Sequence, residues 1–147
     1  MYDKEITQIS IAASIIYRKT QIWKAEQSAD LGLSAAQIPA VMIVCRKNGI
    51  SQNELGEILL LDKSTVAKIV GKLVESGYFI RTINAKDKRA FDLIPTEKAK
   101  GAYPHLLELG IVWDKHLTNE MTEEEKATLE RLLVKVAENA TVFSKKL

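Results

Sequence analysis

The sequence predicts a mainly α chain with a small β-hairpin, and three observations predict it. Gly and Pro supply only 7 and 3 of the 147 residues, about 7% against an average of roughly 12%, so few positions interrupt a helix. Four segments open in helix-capping chemistry. One stretch, from Gly77 to Pro95, departs from helical spacing and fills with β-branched and aromatic residues. The length suits one domain, or one domain with a small appendage, and 46% apolar residues suffice for a core.

The first helix is expected over Thr7 to Ala29, which holds no Gly or Pro. Ile6, Ile9, Ala13, Ile16 and Trp23 fall near helical spacing, and Ile11, Ile15 and Ile22 lie on another face. A helix apolar on two faces packs against two partners at once, and in a chain this short one of them can be another subunit. Ser34-Ala-Ala-Gln37, Ser51-Gln-Asn-Glu54 and Thr122-Glu-Glu-Glu125 each fit the capping box, a hydroxyl followed three residues on by Glu or Gln. Asp62 is a good N-cap for the segment after it. The helix from Ser34 carries Ile38, Val41, Met42 and Cys45 and ends at Asn48-Gly49, a C-cap pair. The helix from Thr122 is long and amphipathic. Another opens at Thr96 and runs to about Leu117, with Pro104 and Gly110 predicting a kink or weak point inside it. Between them, Tyr78–Ile83 and Ala90–Ile94 read as two strands joined by the polar, basic tip Asn84-Ala-Lys-Asp-Lys-Arg89.

The net charge is +2, too small alone to mark a nucleic-acid binder. A single Cys excludes a disulfide framework and a Cys-based zinc site. The longest apolar run, Ala40 to Cys45, is far short of a membrane span. No charged segment followed by an apolar one opens the sequence, and the expectation is a cytoplasmic protein.

The segment Asp62 to Ser76 is the most informative. At 100° per residue, Val66, Ile69, Val70, Leu73 and Val74 share one side, while Ser64, Thr65, Lys68, Gly71, Lys72 and Glu75 share the other. One face is core; the other offers hydroxyls and amines suited to base edges and phosphates in a major groove. The short Ser51–Leu59 helix precedes it through a tight turn, which makes a helix-turn-helix. The hairpin that follows makes it a winged one, whose tip can reach a minor groove. Residues 62–89 hold Lys63, Lys68, Lys72, Arg81, Lys86, Lys88 and Arg89 against Asp62, Glu75 and Asp87. That is +4 locally, leaving −2 for the rest.

Leu33-Ser34…Gln37, Ser51-Gln-x-Glu-Leu55, Asp62-Lys-Ser-Thr-Val66, Lys68…Lys72-Leu73, Gly77, Arg81, Asp87-x-Arg89 and Thr96-Glu97 resemble the multiple antibiotic resistance regulator (MarR) family of winged-helix repressors. The resemblance is ungapped from Leu33 to about Gly101, and Asp87-x-Arg89 is its most specific piece. It implies a homodimer built through residues 1–32 and 97–147, with residues 33–96 as the winged helix-turn-helix. It implies binding of double-stranded operator DNA, often relieved by a small aromatic effector or by cysteine oxidation. It also implies that Ser64, Thr65 and Lys68 face the major groove and that Ser51 and Gln52 meet phosphate at a helix N-terminus. Arg89 would border the minor groove, oriented by an ion pair with Asp87. Lys63, Lys72, Arg81, Lys86 and Lys88 complete the implied DNA surface. Thr82, Ile83, Ala85, Lys88 and Pro95 depart from the family pattern, and the wing is less basic than many. Gly71 replaces a frequent acidic residue.

Other constellations carry little. Cys45 continues the Ile38, Val41, Met42 stripe and reads as a small buried hydrophobe. His105 and His116, eleven residues apart, lie about 16 Å apart along a helix, too far to share a metal. No nucleophile elbow, phosphate-binding Gly loop or HExxH motif occurs, so no enzyme, cofactor or metal is expected. An effector cleft is expected between the first helix, the Leu33–Lys47 helix and the helix after Thr96. The alternative to a DNA-binding regulator is a winged-helix module that binds protein instead.

Overall fold

The computed structural model describes residues 8–144. Along the chain run α1 (Ile9–Gln27), a 3₁₀ turn (Ala29–Leu31), α2 (Ile38–Lys47), β1 (Ile50–Ser51), α3 (Gln52–Leu59), α4 (Lys63–Glu75), β2 (Phe79–Ile83), β3 (Phe91–Pro95), α5 (Glu97–Leu117) and α6 (Glu123–Ser144). Ile6 and Thr7, expected at the head of the first helix, lie outside the described residues. The chain divides into two compact units, one ending at Gly110 and the other formed by residues 111–147.

In the first unit, α2, α3 and α4 pack with a three-stranded antiparallel sheet of order β1-β3-β2. The expected hairpin is β2 and β3, paired from Phe79 opposite Pro95 to Ile83 opposite Phe91. β1, two residues long, pairs Ile50 with Leu93 and Ser51 with Asp92. It was not foreseen, because two residues are too few to show alternation. Gly49 permits the pairing. Its φ is +112°, and a Cβ there would meet the Leu93 carbonyl oxygen at 3.3 Å, so the backbone passes where a side chain would obstruct it.

The core joins Val41 and Val44 of α2, Leu55 of α3, Val70 and Leu73 of α4, and Tyr78, Phe79 and Leu93 around the strands. The apolar face read for α4 is the buried one. Tyr78 donates its hydroxyl proton to the Leu31 carbonyl, which ties the 3₁₀ turn to the hairpin.

Helix α2 starts later than expected. Gln37 accepts from the Ser34 N–H at 2.8 Å, one half of the capping box. Ala35–Gln37 nevertheless form a turn, with the Gln37 N–H donating to Ser34 O, and the helix begins at Ile38. Pro39 is the reason: it has no N–H to give to Ala35, so the first helical bonds of an earlier start are missing. The Thr122 box forms completely, with Glu125 accepting from Thr122 N at 2.7 Å and Thr122 accepting from Glu125 N at 3.2 Å.

α5 continues through Pro104. Pro104 is exposed, so water can satisfy the carbonyl that its missing N–H leaves free. α5 also runs unbroken through Gly110, the other position where a kink or weak point was expected.

Candidate nucleic-acid interface

Ser51 caps α3 by accepting from the Glu54 N–H at 3.1 Å. The Glu54 carboxylate does not return to Ser51; it pairs with Lys47 at 2.8 Å. α3 closes on Leu60 in the left-handed region, with Leu60 and Leu61 donating to Glu57 O and Gly56 O. That sharp stop creates the turn of the helix-turn-helix. Gly56 lets the helices approach: a Cβ on it would meet Val66 at 3.2 Å.

Asp62 caps α4. One carboxylate oxygen accepts from Thr65 N at 2.9 Å and from the Ser64 hydroxyl at 2.7 Å. The other accepts from the Thr65 hydroxyl at 2.7 Å. These bonds to the ionised form, the two hydroxyls first, hold Asp62 well below the usual carboxylate range. The cap was legible in the sequence; its grip on both hydroxyls was not.

Lys63, Ser64, Lys68 and Lys72 are exposed on α4, and Thr65 is half-buried beside them. The ion pairs among the described residues are Lys47–Glu54, Lys100–Glu97 and Lys126–Glu123. None involves an amine of α4 or the wing tip, so those charges face solvent free to meet an anion.

At the wing tip Lys86, Asp87, Lys88 and Arg89 are all exposed. Their backbone is organised by Asn84, which in sequence is no more than part of a polar tip. Its side-chain oxygen accepts from Lys86 N at 2.8 Å and Asp87 N at 3.0 Å, and its amide donates to Asp92 at 2.8 Å. An Asn accepting from N–H groups two and three residues ahead is a recognisable Asx signal. The expected Asp87–Arg89 ion pair is corrected. Asp87 accepts from the backbone N–H of Arg89 at 2.9 Å, and no ion pair joins their side chains among the described residues. Two residues apart in a turn, the carboxylate reaches the nearer N–H and leaves the guanidinium in solvent.

The remaining expected contacts turn inward. Arg81 is half-buried with its guanidinium carbon 5.0 Å from the Phe91 ring centre, a cation–π arrangement. Gln52 is half-buried. Gln52 Oε1 and Arg81 Nε are buried without a hydrogen-bond partner. The charged residues of the α4 face and the wing tip are thus exposed, whereas Ser51, Gln52 and Arg81 are half-buried.

Elsewhere, Cys45 is half-buried against the core. Burial pushes its thiol pKa up, and Lys100 only partly offsets that. An open cleft of about 370 Å³ lies between α2 (Pro39, Met42, Ile43, Arg46) and α5 (Tyr103, Leu107); α1, expected as a wall, does not line it. Among the described residues, no group of three His, Cys, Asp or Glu could hold a metal, and no helix is long and apolar enough to cross a membrane.

A helix-turn-helix followed by a hairpin, with free amines on the second helix and at the hairpin tip, defines a winged-helix DNA-binding protein. The MarR family profile matches residues 31–90. The HTH-type transcriptional regulator YybA of Bacillus subtilis (strain 168) is 32% identical over 110 residues, 75% of this chain and 73% of that protein. A MarR transcriptional regulator from Methanosarcina mazei Go1 superposes with a TM-score of 0.86 at 30% identity, over 92% of this chain and 97% of that one. A MarR-family regulator from Listeria monocytogenes, crystallised with a 26-mer DNA, superposes at 0.87 with 26% identity over 96% of each chain. The chain belongs to the MarR family of DNA-binding transcriptional regulators, which are not enzymes.

Proposed function

We propose that the protein is a homodimeric repressor that binds a pseudo-palindromic operator and is released by a small aromatic ligand. Residues 33–96 supply the DNA-binding part, and residues 1–32 and 97–147 the dimerisation region. The observation that carries the dimer is α6. None of its described residues is buried, and it exposes Leu132, Leu133, Val134, Val136, Val142 and Phe143. α1 likewise has no buried residue and leaves Ile9, Ile16 and Ile22 exposed. An apolar surface of this extent is an interface awaiting its partner, and a second copy supplies the same surface in return.

On the DNA, α4 enters the major groove with Ser64, Thr65 and Lys68 toward base edges, and Lys63 and Lys72 toward phosphate. Lys86, Lys88 and Arg89 carry the wing to the neighbouring minor groove. Ser51 and Gln52 meet the backbone at the start of α3, and Arg81 supports the wing through Phe91. A dimer lying across a promoter represses by excluding the transcription machinery. The α2–α5 cleft, apolar with Arg46 at its wall, suits an aromatic carboxylate.

Selection of bound sequences from random duplexes, repeated with a panel of aromatic acids, tests the reading. The expected result is a two-fold symmetric motif with half-sites about one turn, roughly 34–36 Å, apart, and weaker capture with one of the acids. A winged-helix module that binds protein would show no salt-sensitive duplex binding even at low salt.

A further inference from the structure

We propose that Asp62 fixes the hydrogen-bonding polarity of Ser64 and Thr65, so that both hydroxyls act toward DNA as acceptors only and select bases that present an amino group. This rests on the reading that α4 lies in the major groove. A serine or threonine hydroxyl ordinarily suits any base edge, because it can donate or accept. Here both protons are committed. Ser64 and Thr65 each donate to a carboxylate oxygen of Asp62 at 2.7 Å. Bonds from a hydroxyl to a carboxylate are charge-assisted and about twice as strong as neutral ones. Turning a proton away to a guanine O6 or thymine O4 exchanges a strong bond for a weaker one. Each hydroxyl keeps its lone pairs, which match the N6 amino group of adenine and the N4 amino group of cytosine. Asp62 is thus a positioning residue that sets specificity through its neighbours.

The arrangement also predicts which hydroxyl an amide would change. In Asp62→Asn the amide oxygen must stay where it accepts the Thr65 N–H and the Ser64 hydroxyl. The NH₂ group then faces the Thr65 hydroxyl, which accepts from it and frees its own proton for the DNA. Asn remains a strong N-cap, so the helix start survives.

The experiment is sequence selection from random duplexes with wild type, Asp62→Asn, Ser64→Ala and Thr65→Val, followed by affinity on the selected site. The expected wild-type half-site has adenine or cytosine at the positions read by the two hydroxyls. Replacing those bases by purine or 2-pyrimidinone, which lack the amino group, weakens binding about 10-fold. Asp62→Asn changes the preference at the Thr65 position toward guanine or thymine and leaves the Ser64 position alone. Loss of cap stability would lower affinity for all sequences alike and could not produce that switch. An unchanged Asp62→Asn motif, or keto bases at the wild-type positions, overturns the proposal while duplex binding stands. Absence of any salt-sensitive duplex binding by wild type overturns the DNA reading beneath it.

Discussion

Leu60 holds a left-handed backbone, φ 54° and ψ 41°, on a side chain that is 65% exposed. That conformation is uncomfortable for any residue with a Cβ and is kept here because the turn between α3 and α4 requires it. Leu60→Gly removes the clash and gives up little burial, so stability should rise by about 1 kcal/mol, read as a higher urea midpoint with an unchanged slope. A β-branched residue there should lower it. Cys45 makes a prediction in pH. Its folded pKa lies above the unfolded value, so its contribution to stability is complete below the unfolded pKa. That contribution is lost as pH rises through the folded pKa. As pH rises above the ordinary thiol pKa of about 8.5, the wild-type urea midpoint should fall faster than that of Cys45→Ala. At pH 7.5 the native thiol should react with iodoacetamide more slowly than free cysteine, because less of it is thiolate.

Helix α4 contains its own weak point. Gly71 sits mid-helix, and a Cβ there would have nothing within 4 Å. Gly71→Ala should therefore stabilise the protein by roughly 1 kcal/mol, seen as a higher melting temperature. A loss of stability would mean that the open space is filled in solution. What could be read of the elements from the sequence follows from how local their causes are. The caps at Ser51, Asp62 and Thr122 were legible because each is closed by an N–H three residues away. The apolar face of α4 was legible because helical periodicity survives over thirteen residues. β1 was not, since it depends on Ile50 pairing with Leu93, 43 positions further along the chain. Within the site, the α4 amines were visible as composition. The Asp87 contact was misjudged because composition cannot distinguish a carboxylate bonded to a guanidinium from one bonded to an N–H. Gln52 and Arg81 look like surface residues in sequence, and only packing turns them inward.

At the scale of the whole molecule, the net charge of +2 conceals a basic winged helix-turn-helix in a chain whose α1 and α6 bury none of their described residues. Two copies joined through those helices would present two basic elements to one duplex, and the second half-site would bind at the high effective concentration set by the first. A dimer joined in this way would convert a weak half-site contact into operator affinity. Leu133 and Val136 lie three residues apart on α6 and are 50% and 41% exposed, so replacing both by Asp leaves the buried core of the chain untouched while placing charge in the proposed interface. Light scattering at micromolar concentration should then report a monomer with wild-type helix content by circular dichroism. Affinity for a duplex with two half-sites should fall at least about 100-fold, whereas affinity for a single half-site should stay within about 3-fold. The slope of log K against log salt should shrink by about half on the two-site duplex, because one set of phosphate contacts disappears. A doubly substituted chain that still scatters as a dimer and keeps the full salt slope would place the interface elsewhere than on α6.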